Sequence, residues 1–333
     1  MNMKKWQEEM IKAPKKKAMP VLSFPAVQVM NITVRDLISN SDLQARAMQI
    51  ISEKADTAAS VSFMDLSVEA EAFGADIRFS DEEVPTVIGS ILKNKEDIEN
   101  LSIPEIGAGR TGIYIEAMKK AVALIKDRPV FAGVIGPYSL AGRLFDVSEI
   151  MMFCYDDSDA ANLLLEKVSD FIVSYIKEYK KIGANGVVMA EPLTGMLSPA
   201  MAEEFSTPFV KKIIDAVQDD DFMVIYHNCG NNTVKMTDSI AAVGAMGYHF
   251  GNAIEMTDIL PLMPANVIVS GNVSPADEFK NGTPGSIRNA TLNILKNCTQ
   301  YPNFVISSGC DIPPMAKWEN IDEFFKVVKE FYM

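Results

Sequence analysis

Residues that do much of the chemistry in proteins are scarce in this chain: among 333 residues there are four cysteines, two histidines and two tryptophans. Cys154, Cys229, Cys298 and Cys310 are too few and too scattered for a disulfide framework, so they are expected as free thiols or metal ligands. A basic excess is also missing. Lys and Arg number 31 against 44 Asp and Glu, a formal charge of −13, which argues against the basic face that nucleic acid or an anionic membrane surface requires. No apolar run approaches the ~20 residues needed to span a bilayer. The lysines at Lys15, Lys16 and Lys17 are not followed by the apolar core of a signal peptide. A cytoplasmic protein is expected, with small molecules or other proteins as partners.

What the chain does have is a recurrent pattern of short β-rich runs: Val21 to Val27, Ser60 to Met64, Val130 to Ile135, Gly186 to Ala190, Phe222 to Tyr226, Ala245 to Phe250, Asn266 to Ser270 and Phe304 to Ser308. Segments of helical periodicity separate most of them, the longest from Asp157 to Lys181. Others run from Arg35 to Ser52, with Ser41 or Asp42 as N-cap, and from Pro199 to Val217. Eight such runs predict an α/β fold, a single (β/α)8 TIM barrel over residues 1–333 with an N-terminal helical extension in residues 1–19. In a barrel, the C-terminal ends of the strands converge at one mouth. Asp65, Gly136, Glu191, His227, Cys229, His249, Asn272, Cys310 and Asp311 are therefore expected to ring one site.

Within that ring the ligand-bearing stretch is Val224-Ile-Tyr-His-Asn-Cys-Gly230. Residues i and i+2 of an extended segment share a side, so His227 and Cys229 can hold one ion together. Cys310, in Phe304-Val-Ile-Ser-Ser-Gly-Cys-Asp311, is the other place where a buried-strand pattern ends in a soft ligand. One imidazole and two thiolates are the ligand set of a zinc ion with an open position, which would deprotonate an incoming thiol at neutral pH. Cys154 and Cys298 read as small core residues. Around the metal, the candidate catalytic residues are Glu191, as a ligand, an orienter of the imidazole or the partner of a neighbouring basic side chain, His249, as a fourth ligand, a base, or a core residue that can support a ligand from behind, and Asp65. Asp311 is expected either to orient the ligand beside it or to cap a turn. Gly107-Ala-Gly-Arg-Thr-Gly112 fits GxGxxG, but no βαβ unit surrounds it, so no nucleotide site is expected. Arg110 and Arg143 are read as surface salt-bridge partners, with an anionic substrate group as the alternative.

His227-Asn-Cys229-Gly230, Ser308-Gly-Cys310-Asp-Ile-Pro-Pro314, Asp65-Leu-Ser-Val-Glu-Ala-Glu-Ala-Phe-Gly74, Gly136-Pro137 and Gly271-Asn-Val-Ser-Pro275 together resemble the methylcobalamin:coenzyme M methyltransferase branch of the uroporphyrinogen decarboxylase superfamily. The resemblance covers nearly the whole chain. It implies zinc held by His227, Cys229 and Cys310, a thiol such as coenzyme M as methyl acceptor, and a methylated corrinoid carried on a partner protein as donor. Members of the decarboxylase branch resemble one another in an arginine-rich segment after the first strand. Here that segment, Phe24 to Arg35, has one arginine, so although Asp65 matches the decarboxylase aspartate in position, the decarboxylase role does not transfer. Two alternatives remain at the level of sequence: a different methyl acceptor such as a folate, and a decarboxylase-like tetrapyrrole enzyme or binding protein.

Overall fold

The computed structural model describes residues 1–333. Its strands are β1 (Ser60–Val61), β2 (Asp76–Arg78), β3 (Thr86–Ile88), β4 (Val130–Ile135), β5 (Gly186–Ala190), β6 (Met223–Asn228), β7 (Gly247–Phe250), β8 (Ile268–Val273) and β9 (Phe304–Ser308). The hairpin of β2 and β3 stands apart. The other seven strands form one parallel sheet in the order β1-β4-β5-β6-β7-β8-β9. Helices cross over between most neighbours, as parallel pairing demands.

The closed eight-stranded barrel expected from the sequence is not what forms. The run from Val21 to Val27 makes no strand; it turns at residues 24–25 and enters a short helix, Ala26–Met30. Pro20 and Pro25 explain the difference, because each removes a backbone donor from what would have been a ladder. The segment still lies between the sheet's two edges. Met19 N–H donates to Ile306 O of β9 at 3.0 Å, and Ala58 N–H, just before β1, donates to Ala18 O at 2.8 Å. Val21 N–H reaches the Ser308 hydroxyl at 3.1 Å instead of a strand carbonyl. The result is a curled, parallel seven-stranded sheet whose seam is filled by irregular chain, a distorted barrel.

Two predicted helices are each divided. Residues 34–54 form Val34–Ile38 and Ser41–Lys54, and Asn40 caps the second by accepting from Asp42 N–H and Leu43 N–H, the role expected of Ser41 or Asp42. Residues 199–217 break at Ser206, where Pro208 begins the second helix, Thr207–Val217. The long helix is Ser158–Lys181, close to expectation.

Strand parity sorts side chains into two cores. Phe131, Val188, Ala190, Ile225, Ile268 and Val305 point into the lumen. Their neighbours Ala132, Val187, Met189, Val224, Val269 and Phe304 point outward into the layer between sheet and helices. The N-terminal helix, Met3–Lys12, closes the lumen at the N-terminal ends of the strands. Met3 is fully buried in the inner core, and Trp6 packs edge-on against Phe131 with centroids 6.0 Å apart. Gln7 Nε2 anchors the helix by donating to Met246 O at 2.7 Å and Asn266 O at 3.0 Å. No helix is long and apolar enough to cross a membrane.

Candidate metal centre

His227 lies two residues after Ile225 in β6, so the alternation that buries Ile225 in the lumen carries the imidazole there too. Cys229 follows just past the strand end. Its position is fixed from β7, because Gly251 leaves no room: a Cβ there would sit 2.3 Å from the Cβ of Cys229. Cys310 comes from the strand that borders the seam, two residues past the end of β9. The ligand atoms of His227, Cys229 and Cys310 all lie within 4.8 Å of one another. Residues 81 positions apart in sequence are thus brought to one point by the parallel topology. The two sulfurs share a hydrogen bond, which pulls the Cys229 thiol below its ordinary range and, with burial, pushes Cys310 up to about 12.

The neighbouring strand fixes which imidazole nitrogen is free. His227 Nδ1 faces His249 O at 3.1 Å and His249 Nδ1 at 2.6 Å. A carbonyl only accepts, so His227 carries its proton on Nδ1. His249 Nδ1 is then the lone-pair nitrogen and its proton sits on Nε2, 2.8 Å from the Ser307 hydroxyl. That hydroxyl donates in turn to Met19 O at 2.8 Å. Burial, reinforced by His227 alongside, holds His249 well below the usual imidazole range, which keeps it neutral as this chain of donors requires. The outcome is that His227 Nε2 is a lone-pair donor, buried and without a hydrogen-bond partner. An orphaned buried nitrogen facing two sulfurs fits a zinc ion, which takes such donors in tetrahedral geometry. His249→Phe is expected to weaken zinc binding about 10- to 100-fold, the usual effect of losing a residue that orients a ligand imidazole. Competition with a chromophoric chelator measures this, and unchanged affinity would remove His249 from that role.

The carboxylates expected at the mouth are placed differently. Ala190 and Pro192 line the cavity beside the triad, and Glu191 between them points outward. Its carboxylate accepts from Tyr138 N–H at 2.7 Å, Ser139 N–H, the Ser139 hydroxyl at 3.0 Å and the Thr194 hydroxyl at 2.9 Å. It therefore sits at the N-terminus of the helix Pro137–Phe145, where a negative charge is favoured. Burial nevertheless pushes it up to about 7, against those four donors. Gly136 makes the approach possible, since a Cβ there would lie 2.2 Å from the Glu191 side chain.

Asp65 behaves in the same way. Met64 and Leu66 line the cavity, whereas the Asp65 carboxylate is buried among Arg110, the Tyr114 hydroxyl at 2.8 Å and the Ser67 backbone N–H at 3.1 Å. Arg110 is not on the surface as expected. Its side chain is 7% exposed and is held between Asp65 and Glu71, with Nε 2.6 Å from Glu71. Asn272 donates to Gly251 O and Ile254 O, steadying the loop behind Cys229. Only Asp311, among the carboxylates at strand ends, lines the cavity with the triad. Ser307 was not singled out from sequence; its signal is the two-residue step from the lumen-facing Val305.

The sequence profile for uroporphyrinogen decarboxylase (URO-D) matches residues 13–331. Methylcobamide:CoM methyltransferase MtbA of Methanosarcina acetivorans is 29% identical over 280 residues, covering 80% of this chain and 78% of the relative. A uroporphyrinogen decarboxylase of Flavobacterium johnsoniae is 24% identical over 289 residues, covering 82% and 80%. A solved structure of a methyltransferase from Methanosarcina mazei superposes with a TM-score of 0.87 at 22% identity over 100% of both chains, a likeness of fold. With the profile spanning almost its full length, this chain belongs to the uroporphyrinogen decarboxylase family.

Proposed function

We propose that this protein is a methyltransferase that moves a methyl group from a corrinoid, carried on a partner protein, to the sulfur of a small thiol. The observation that carries the reading is the triad itself: His227, Cys229 and Cys310 meeting at the lumen's mouth with His227 Nε2 buried and unpartnered. Zinc held there supplies the Lewis acidity that keeps a bound thiol deprotonated at neutral pH. Two thiolates in the ligand set leave such a sulfur electron-rich, which suits attack on a methyl carbon better than activation of water. The new bond joins sulfur to the methyl carbon as the cobalt–carbon bond breaks, and the bonding pair stays with cobalt. On binding, the thiol would release its proton to solvent, so that the sulfur arrives as the thiolate.

The chain's own residues hold this arrangement in place. His249 and Ser307 keep the His227 proton on Nδ1, and Gly251 seats Cys229. Glu191 and Asp65 act at one remove, by anchoring the Pro137–Phe145 helix and the 65–72 turn that flank the mouth. A decarboxylase acting on a polycarboxylate tetrapyrrole is less well supported. That substrate asks for several cations, whereas none lines the cavity, and Arg35 pairs with Asp81 at 3.1 Å away from it. The similarity to the MtbA relative agrees with the methyltransferase reading.

The test is direct. Zinc-loaded protein mixed with methylcobalamin and a small thiol should convert the methylcobalamin spectrum to that of the demethylated corrinoid and yield the methyl thioether. Turnover with a folate acceptor but with no thiol would refute the choice of acceptor, and no turnover with either would refute the transfer.

A further inference from the structure

At the end of the barrel opposite the triad, the surface carries a charge pattern that methyl transfer does not use. A groove of ≈ 440 Å³ opens where the chain leading into the seam passes the start of β9. Six of the 31 basic residues line it against one carboxylate, Asp56, in a chain whose net charge is −13. They come from three separate segments. Lys15, Lys16 and Lys17 precede the seam, Lys54 ends the helix Ser41–Lys54, and Lys326 and Lys329 lie on the final helix, Trp318–Tyr332. Phe325, Val328 and Tyr332, at i, i+3 and i+7 of that helix, form an apolar stripe beside the last two lysines.

Three of the six ammoniums already have a partner. Lys17 pairs with Asp56 at 2.7 Å, Lys326 with Glu323 at 3.5 Å, and Lys15 reaches Met333 O at 3.4 Å. The other three have no carboxylate. Lys16 is half-buried and donates to Pro302 O and Phe304 O, which leaves one of its three hydrogens to give. Burial brings it down to about 8, so it is still charged at neutral pH. Lys54 lies 4.7 Å from the centroid of the Trp318 ring, and Lys329 is exposed and unpaired. Helix dipoles account for only part of this gathering. A basic residue in the last turn offsets the negative C-terminal pole, which covers Lys54 and Lys329 but not Lys15 to Lys17.

Like charges collected in one concavity repel, and an anion among them removes that cost. Lysine meets phosphate as a point charge, and several converging ammoniums favour a ligand with more than one negative charge. The volume is that of a small-molecule site. The apolar stripe adds a surface for an uncharged body. We propose that this groove is a second ligand site, separate from the metal centre, which takes a small phosphate-bearing molecule with an apolar ring system, of the nucleoside diphosphate class.

Titration calorimetry on the full chain, at about 0.15 M salt to screen isolated surface charges, tests this with inorganic pyrophosphate and adenosine diphosphate. Both should bind at one per chain, adenosine diphosphate more tightly. Lys16→Gln combined with Lys329→Gln should weaken both at least about tenfold, the usual loss for hydrogen bonds to charged groups. Phe325→Ala should weaken adenosine diphosphate alone. The control, Lys4→Gln with Lys119→Gln, removes the same charge elsewhere and should change neither. A melting midpoint near that of the natural protein shows that each variant is folded. Absence of binding, or a loss that the control shares, overturns the site. Equal binding of the two probes, or tighter binding of an oligoglutamate peptide than of adenosine diphosphate, overturns the choice of ligand. None of these outcomes depends on methyl transfer.

Discussion

Cys310→Ala is expected to lose stoichiometric zinc and to bring methyl transfer to thiol down to background. The residue supplies one of three donors, and the remaining pair, His227 and Cys229, come from a single strand end. Loss of a ligand should exceed the ~10- to 100-fold change in affinity that follows loss of a supporting residue, so the variant should fall below the effect of His249→Phe. Metal content by plasma emission and methylcobalamin consumption measure the two losses together. Cys298→Ala is the control. That thiol is buried in the outer core, so the variant should keep its metal and tolerate a small core truncation. A metal-free Cys310→Ala protein that transferred methyl groups at the full rate would falsify the mechanism.

Arg110→Ala should cost about 3–5 kcal/mol of stability, the usual result of removing one partner from a buried ion pair. The guanidinium contacts Asp65, Glu71 and the Ser67 hydroxyl, and with it gone the Asp65 carboxylate is left fully buried beside Glu71. The Asp65 side chain has no exposed surface through which water could compensate. Denaturant titration gives the loss, and Arg110→Met combined with Asp65→Asn should recover part of it by removing both charges. Folded Arg110→Ala protein should retain stoichiometric zinc, since neither Arg110 nor Asp65 lines the cavity. A midpoint unchanged from the natural protein would mean that Asp65 is held by something other than this network.

Seven of the eight expected runs form strands, legible because each is a short β-rich run bounded by turn residues, whereas the hairpin of β2 and β3 was not read at all. The missing one failed for a local reason. Val21 to Val27 has the composition of a strand, but Pro25 within it and Pro20 just before it withhold donors a ladder needs, and composition does not reveal that the seam can be held by single bonds to Met19 and Ala18 instead. The triad of His227, Cys229 and Cys310 was legible because these are soft donors at the ends of buried runs that the fold brings together. The carboxylates were misplaced because strand-end position was given more weight than parity. Ala190 faces the lumen, so Glu191 has to face the helices, and the same alternation sends Asp65 away from Met64 and Leu66. The network around Arg110 could not be read at all, since it joins a turn at residues 65–71 to a loop at residue 110 across a stretch with no periodic signal.

The helix Met3–Lys12, with Met3 and Trp6 seated against the inner core, stoppers the lumen at the end opposite the triad. For the transfer proposed here, traffic therefore has one doorway. A small acceptor and a bulky corrinoid protein cannot pass each other in it, so the small one must be seated before the large one arrives, and departure must run in the reverse order. In that reading the stopper, far from any reacting atom, would set the order in which the two substrates meet.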